Sequence, residues 1–423
     1  MSILCSFISV MSTIGRVILA FVILMIMVLI HETGHYTAGK ILKFKINEFA
    51  IGMGPKVFSK TKKNGEVVSL RLLPLGGFCA FEGEDEDNPS PQAFNSQKPW
   101  KRIIVLVSGA LLNFISALII CTILFAAYGE TVAMVNRVYD YAPAINQQLE
   151  KGDIIYKING KRVFILDDLS RYMSDEMSVT VIKPNGEKVT YTGITRNSYY
   201  SVSIKSLEGV ELNQTASGAE RALKAGDVIY KIDGKSVSQK GDVARYIREA
   251  SDTVTITVID SDLCDYVVPK SDLQKIDFAE THYTGIGMSI NYGTYKFYFG
   301  EALLRVVPYC GEVGLLVLRT LGGLLTGVVG IESVGGPVST IAVASEVVSY
   351  GFASVLSLFV LISVNLAVFN LLPVPALDGC RIVFVIIEWI ARKPINRKVE
   401  SWINFIGLIL LLGFVILIDI LKI

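Results

Sequence analysis

The chain has 423 residues, of which 51% are hydrophobic, and its formal net charge is +1 at pH 7. This balance predicts a membrane protein and argues against nucleic-acid binding, because the sequence contains no long basic tract. The six cysteines lie far apart without a C-x-x-C pair, which argues against a disulfide framework and against a zinc knuckle.

The first predicted element is a membrane-spanning helix that ends in a cluster of ionisable residues. Fourteen apolar residues, 17–30, lead directly into the sequence HETGH at residues 31–35. Such a run can also be a secretory signal peptide, but no small-x-small cleavage site follows it and three lysines stand at its far end. Ionisable side chains at membrane depth are costly and usually functional, so the cluster predicts a site.

His31, Glu32 and His35 form the pattern H-E-x-x-H. Residues four apart lie on one face of an α-helix, so both imidazoles can reach the same metal ion. Glu32 would then accept a proton from a water without binding the metal itself. A bound Zn²⁺ also offsets the cost of desolvating the cluster, which an unliganded histidine pair would bear without gain. The pattern therefore predicts a zinc site with Glu32 as the catalytic base.

The segment after this helix predicts a β-strand. Residues 66–81 read EVVSLRLLPLGGFCAF, in which apolar residues alternate with Ser69 and Arg71. Pro74 and Gly76 are expected to end the strand. A strand beside an intramembrane site can bind an unwound substrate backbone, and a purely structural hairpin fits the periodicity equally well.

Three further segments are long and apolar enough to cross a bilayer: 103–128, 351–372 and 402–422. Lysines and arginines concentrate between the first and second spans and between the third and fourth spans. The positive-inside rule therefore predicts that these two loops are cytoplasmic. Both termini and the segment 129–350 are then expected outside the cell, in a multi-pass protein of the plasma membrane.

The outer segment contains an internal repeat. Residues 151–163, KGDIIYKINGKRV, and residues 225–237, AGDVIYKIDGKSV, agree at nine of thirteen positions with an offset of 74 residues. Each copy predicts a short strand, a tight Asn-Gly or Asp-Gly turn and a second strand. Each also resembles PDZ domains, which bind extended peptides at a sheet edge. Any β-hairpin with such a turn fits one copy, whereas two copies in register favour tandem PDZ-like domains, acting either as peptide binders or as steric blocks.

The third metal ligand is predicted to be a carboxylate far along the chain, because catalytic zinc needs three protein ligands and an open position. The remaining histidine, His282, lies in the outer segment. The main candidate is Asp378 in FNLLPVPALDGCRIVF, residues 369–384. Asp378 can alternatively act as the N-cap of the helix that follows, and Glu312 and Glu332 are weaker candidates for the metal.

Several motifs together resemble one family. H-E-x-x-H in the first span, N-x-x-P-x-P-x-L-D-G after the third, and PDZ-like domains between the second and third are similar to the site-2 protease family, specifically its RseP-like bacterial intramembrane zinc metalloproteases. The sequences PLGGF (74–78) and SGALLNF (108–114) extend this resemblance, which covers nearly the whole chain.

The resemblance implies a role for each residue of the site. His31, His35 and Asp378 would bind Zn²⁺, Glu32 would serve as the base and Asn370 would contact the substrate. The family's usual substrates imply single-span membrane proteins already trimmed by another protease, such as anti-sigma factors and signal-peptide remnants. Peptide ligands of the PDZ-like domains are further expected partners.

The predicted fold is a polytopic α-helical membrane protein with about four transmembrane helices, two extracytoplasmic PDZ-like α+β domains and a membrane-associated β-hairpin. Residues 296–350 are apolar but broken by glycines and Pro337, so they are expected to be interfacial or re-entrant. The predicted segments are 1–46 (first helix with H-E-x-x-H), 47–100 (cytoplasmic hairpin loop), 101–129 (second helix), 130–204 and 205–295 (PDZ-like domains), 296–348 (glycine-rich region), 349–398 (third helix and L-D-G) and 399–423 (fourth helix).

Two other classes of function fit parts of the sequence. A metal transporter would use intramembrane histidine and aspartate as a relay, but it should carry ligands on several spans. A catalytically silent PDZ scaffold would not need Glu32. The combination of Glu32 with the histidine pair therefore favours the protease.

Overall fold

The computed structural model describes residues 2–84, 90–207, 222–259, 263–330, 335 and 337–421. The chain divides into two compact units, one formed by Met1–Glu130 with Tyr295–Ile423 and the other by Thr131–Thr294. The second unit therefore corresponds closely to the outer segment in which the repeat lies. Each unit is described by itself below.

The first unit is mainly helical and holds the long apolar helices. The helices among the described residues are α1 (Ser2–Ile41), α2 (Pro99–Ala127), α3 (Asp167–Tyr172), α4 (Asp242–Glu249), α5 (Lys270–Leu273), α6 (Phe299–Thr326), α7 (Pro337–Ser349), α8 (Phe352–Asn370), α9 (Asp378–Ala391) and α10 (Arg397–Leu421). Four helical stretches have the length and composition to cross a membrane: Gly15–Ile41, Pro99–Ala127, Phe352–Asn370 and Arg397–Ile420. The prediction of about four helices of spanning length is therefore confirmed.

Helices α1 and α2 approach each other closely at a glycine. A Cβ atom added to Gly34 of α1 would lie only 2.3 Å from the carbonyl oxygen of Ser108 of α2. Small residues at a helix crossing allow this kind of backbone contact inside a membrane. The crossing brings α2 against the H-E-x-x-H face of α1.

A two-stranded hairpin follows α1, formed by β1 (Ile46–Thr61) and β2 (Val67–Phe81). The expected end of the strand near Pro74 and Gly76 is wrong, because β2 continues to Phe81. Gly76 has φ of +80°, a conformation that glycine adopts without strain, so the strand bends there instead of stopping. The bend lets β1 pair with both halves of β2: Phe49 lies opposite Cys79 and also opposite Val68.

Two ionic clusters, each centred on a buried glutamate, join elements of this unit. Glu66 of the hairpin is 1% exposed and pairs with Lys40 and with Lys62, the latter at 2.7 Å. Burial by itself raises the pKa of the Glu66 carboxyl, but the hydrogen bonds from the two lysines outweigh it and lower the pKa to about 2. The hairpin is thereby tied to the end of α1.

The second cluster joins three helices. Glu388 of α9 lies 2.5 Å from Arg102 of α2 and 2.7 Å from Arg397 of α10, and all three side chains are buried. The backbone N–H of Ile395 also donates to Glu388, at 2.9 Å. Because α9 begins at Asp378, this cluster holds the helix that carries the predicted third ligand.

The predicted glycine-rich region, 296–348, is largely helical. It contains α6, which continues through Pro308, and most of α7. Helix α6 ends at Thr326, and Gly327 directly after it has the left-handed conformation, a common way to terminate a helix. An interfacial or re-entrant position for these helices stays a prediction.

The second unit is built on two six-stranded sheets. Its strands are β3 (Glu130–Val138), β4 (Ile154–Ile158), β5 (Lys161–Arg162), β6 (Glu176–Ile182), β7 (Lys188–Thr195), β8 (Asn197–Ser206), β9 (Val228–Ile232), β10 (Lys235–Ser236), β11 (Thr253–Ile259), β12 (Leu263–Pro269), β13 (Asp277–Gly285) and β14 (Met288–Tyr295). The sheet orders are β14-β3-β4-β6-β7, with β5 on β4, and β12-β11-β9-β8-β13, with β10 on β9. Each sheet covers its own apolar core.

The two copies of the repeat fold alike, each as a strand, a tight turn and a second short strand. Asn159 and Gly160 have φ of 50° and 74°, and Asp233 and Gly234 have φ of 48° and 76°. Positive φ at both central residues is typical of a type I′ turn, which asparagine, aspartate and glycine favour. The predicted turns are therefore confirmed.

The sheets interleave along the chain. The consecutive strands β13 and β14 belong to different sheets, so the first sheet is completed by a strand that follows the second. Strand β8 pairs with β9 and β13, although most of it falls within the predicted range 130–204. The domain limits 130–204 and 205–295 stay predictions. Without β14, strand β3 would be an unpaired edge of its sheet, which folded proteins tend to cover.

Candidate active site

The structure brings the three predicted metal ligands together. Nε2 of His31 lies 3.1 Å from Oδ2 of Asp378, and Nε2 of His35 lies 3.3 Å from the same oxygen. The two Nε2 atoms are 3.1 Å apart. Both histidines are 7% exposed. Asp378 and the two histidines, which are 343 and 347 residues away from it in the sequence, thus form a compact triangle of ligand atoms.

This triangle has the size that Zn²⁺ requires. Ligand atoms at about 2.0–2.1 Å from zinc in a tetrahedral arrangement are roughly 3.3 Å from one another, close to the observed 3.1 to 3.3 Å. Oδ2 of Asp378 is buried and makes no hydrogen bond to any residue that the structure describes. Two imidazole nitrogens and one carboxylate oxygen are a donor set of catalytic zinc sites. The residues present therefore fit the ion.

Capping does not explain Asp378. Helix α9 has Leu377 at its N-cap and Asp378 as its first residue, with no side-chain capping bond. Among the weaker candidates, Glu312 pairs with Arg319 on α6 at 2.8 Å, and Glu332 lies outside the described residues. Of the acidic residues considered, Asp378 is the one that the fold places beside the imidazoles.

Helix α2 holds the His35 ring. Nδ1 of His35 lies 2.8 Å from the carbonyl oxygen of Val105, to which it donates. This bond places the proton on Nδ1 and leaves the lone pair of Nε2 directed toward Asp378. Gly109 makes room for the rings, because a Cβ there would lie 2.4 Å from Nε2 of His35 and 2.7 Å from Cε1 of His31.

Glu32 lies beside the ligand triangle on the wall of a cavity of about 280 Å³. Residues 78–81 at the end of β2 also line this cavity, and the backbone N–H of Cys79 donates to the Glu32 carboxylate. Glu84 and Arg381 form an ion pair at this cavity. The alternation of apolar and polar residues did not predict that residues 78–81 belong to the site. The PLGGF motif, residues 74–78, was the available indication in the sequence.

Two asparagine side chains approach His31 from other helices. Nδ2 of Asn370, the last residue of α8, lies 3.4 Å from Nδ1 of His31. Nδ2 of Asn113 of α2 lies at the same distance from the same atom. Asn370 was predicted from the resemblance, whereas Asn113 was missed; its place in the SGALLNF segment was the available signal.

A family model described as Peptidase family M50 matches residues 19–414. The chain belongs to this family, the site-2 proteases. "Zinc metalloprotease RasP" of Bacillus licheniformis is 28% identical over 439 residues, which cover 93% of this chain and 96% of that protein. "Putative zinc metalloprotease FN1322" of Fusobacterium nucleatum is 28% identical over 412 residues, covering 95% and 97%. A relative of the same description in Vibrio cholerae is 28% identical over 430 residues, covering 90% and 93%.

The family assignment and the geometry agree. A site-2 protease is a metalloendopeptidase of the membrane, and this chain combines four helices of spanning length with a buried ligand triangle for zinc. The names of the relatives, which cover nearly their full length here, describe zinc metalloproteases. The protein is therefore an intramembrane metalloendopeptidase of the site-2 type.

Proposed function

We propose that the protein is a zinc-dependent endopeptidase that cleaves transmembrane segments of single-span proteins. In this proposal His31, His35 and Asp378 hold the zinc ion, Glu32 is the catalytic base and Asn370 contacts the substrate. The observation that carries the proposal is the ligand triangle, with sides of 3.1 to 3.3 Å, beside Glu32 in one cavity.

When bound, Zn²⁺ polarises the scissile carbonyl and makes a water molecule acidic enough to react near neutral pH. Glu32 takes the proton of the attacking water and returns it to the nitrogen of the leaving amine. Its position on the cavity wall, one residue from His31, lets it do this without being a ligand. The buried surroundings strengthen the charge interactions on which this proton transfer depends.

A helical substrate must unwind before it can be cut, because every backbone group of a helix in lipid is already paired within the helix. The unwound segment then needs new hydrogen-bond partners. Residues 78–81 of β2 line the cavity and offer a strand with which an extended backbone can pair. Asn370 offers a side-chain amide 3.4 Å from His31.

The second unit is proposed to lie outside the cell and to select substrates. The distribution of lysine and arginine supports this orientation, with both termini outside as well. Its two sheets contain the duplicated strand–turn–strand segments that resemble PDZ domains. PDZ-like domains there would exclude proteins with bulky outer domains, or bind peptides, so that pre-trimmed chains such as anti-sigma factors and signal-peptide remnants enter.

Paired variants test the assignment of roles. The purified protein is assayed in detergent for zinc content and for cleavage of a spanning test peptide. Glu32→Gln should retain zinc and lose about 10²- to 10⁴-fold in cleavage rate, since it removes a general base. Asp378→Asn should lose zinc. Glu249→Gln is the control, because Glu249 belongs to an exposed ion pair.

Three results would refute this function. Wild-type protein without stoichiometric zinc would remove the metal site. Full cleavage by Glu32→Gln would remove the assigned base. Full zinc content in Asp378→Asn would remove the third ligand.

A further inference from the structure

The side of His31 away from the ligand triangle has two amide neighbours. Asn113 and Asn370 each place Nδ2 at 3.4 Å from Nδ1 of His31. A neutral imidazole that presents Nε2 to a metal carries its proton on Nδ1, which is then a donor and needs an acceptor. Amide nitrogens cannot accept a hydrogen bond. An amide that hydrogen-bonds to this Nδ1–H would have to present its oxygen to His31.

Of the two amides, Asn113 is the one that would gain a hydrogen bond if its oxygen and nitrogen changed places. Its side chain is 0% exposed, and its Oδ1 makes no hydrogen bond within the described part of the chain. A buried acceptor without a partner costs about 1–3 kcal/mol. Oxygen and nitrogen of an amide have nearly the same shape, so rotating the amide by half a turn satisfies both groups without any other movement.

The position of Asn113 on α2 supports this orientation. Val105, Gly109 and Asn113 are spaced by four residues and so lie along one face of the helix. Val105 accepts the proton of His35, and Gly109 gives both rings space. Asn113, four residues beyond Gly109, stands where the equivalent acceptor for His31 is needed. One face of α2 thus serves the two histidines in the same way.

We propose that Asn113 is a positioning residue whose side-chain oxygen accepts the Nδ1 hydrogen of His31 and thereby directs Nε2 toward the metal. The single Nδ1 hydrogen is then used, so the amide of Asn370, which is partly exposed, is available to the substrate. This inference rests on the proposed zinc site. It assigns Asn113 to zinc binding and Asn370 to substrate binding, so zinc affinity and cleavage rate distinguish the two roles.

The zinc dissociation constant, measured by competition with a chelator, tests the inference. Asn113→Leu should weaken zinc binding by about 10- to 100-fold, as loss of a partner of a ligating histidine does. Asn113→Asp should restore binding to within a few fold, because a carboxylate only accepts. Asn370→Leu should slow cleavage and leave zinc affinity unchanged.

Asn365→Leu is the matched control, since Asn365 is a second membrane-helix amide whose buried oxygen lacks a partner within the described residues. It should leave zinc affinity unchanged. If Asn113→Leu does not fold, Asn113→Ala removes the amide without adding bulk and takes its place.

Each contrary outcome has its own meaning. Wild-type zinc affinity in the Leu or Ala variant would overturn the positioning role while leaving the zinc protease intact. Equal loss in Asn113→Asp and Asn113→Leu would show that His31 needs a donor, which also overturns the inference. Wild-type protein without zinc would refute the proposed function, and this inference with it.

Discussion

Gly109 offers the sharpest test of whether the crossing of α1 and α2 sets the metal geometry. In Gly109→Ala the new Cβ would lie 2.4 Å from Nε2 of His35, whereas real Cβ atoms essentially never come within 3.0 Å of a neighbour. The ring must therefore move by at least 0.6 Å. Metal–ligand distances tolerate only about 0.2 Å. We expect zinc affinity to fall at least tenfold, about 1.4 kcal/mol.

The assay is chelator competition for zinc, with thermal unfolding in detergent recorded beside it. Gly311→Ala is the control, because a Cβ at Gly311 of α6 has no atom within 4 Å. Gly34→Ala gives the contrasting result, since its Cβ would strike the Ser108 backbone at 2.3 Å and separate the helices. It should lower stability and zinc content together.

Unchanged zinc affinity in Gly109→Ala would refute the reasoning. It would mean that the imidazoles can retreat without altering the ligand triangle. Loss of folding equal to that of Gly34→Ala would instead show that Gly109 acts through helix packing alone.

Two further predictions concern the buried ionic clusters. Glu388→Gln leaves Arg102 buried without its carboxylate, whereas Arg397 keeps Glu400 at 2.8 Å. The change should cost about 3–5 kcal/mol and lower the melting temperature. Glu249→Gln, in an exposed pair, should cost under about 1 kcal/mol. The pKa of Glu66 is lowered from 4.5 to about 2 in the folded protein, so ionised Glu66 stabilises the hairpin fully above about pH 5. This stabilisation is lost as the pH falls toward 2. The loss is at most about 3 kcal/mol, and it is smaller to the extent that solvent screens the two lysines. Hydrogen exchange of the β1 and β2 amides between pH 6 and 3 should show this loss in wild type and not in Glu66→Gln; equal pH dependence in both would contradict it.

These variants distinguish the residues at the ligand triangle from the residues that hold its helices in place. Glu32→Gln acts on proton transfer, whereas Gly109→Ala acts on the positions of the His31 and His35 rings. The Glu388 cluster acts from a distance, through the helix that begins at Asp378. A variant at Glu388 that retains zinc at low temperature and loses it on warming would show that holding α9 in place is what this cluster contributes.

The sequence alone determined the features that depend on near neighbours. His31 and His35 share a helix face because they are four residues apart, and the apolar runs predicted the four spanning-length helices because lipid requires such runs. The Asn-Gly and Asp-Gly pairs predicted their tight turns because few other residues accept positive φ twice in succession. Each of these inferences needs only local geometry.

Only the tertiary structure decided how distant segments meet. The sequence allowed Asp378 to be either a metal ligand or a helix cap, and the fold places its carboxylate 3.1 Å from His31 without a side-chain capping bond. It extended β2 beyond Gly76 into the cavity, because pairing with β1 outweighs the local tendency to turn. It also revealed Asn113 and Gly109, whose importance comes from contact with rings on another helix. The spacing of apolar residues in the sequence indicates which face of a helix or strand is buried, but not which residues of other elements that face contacts.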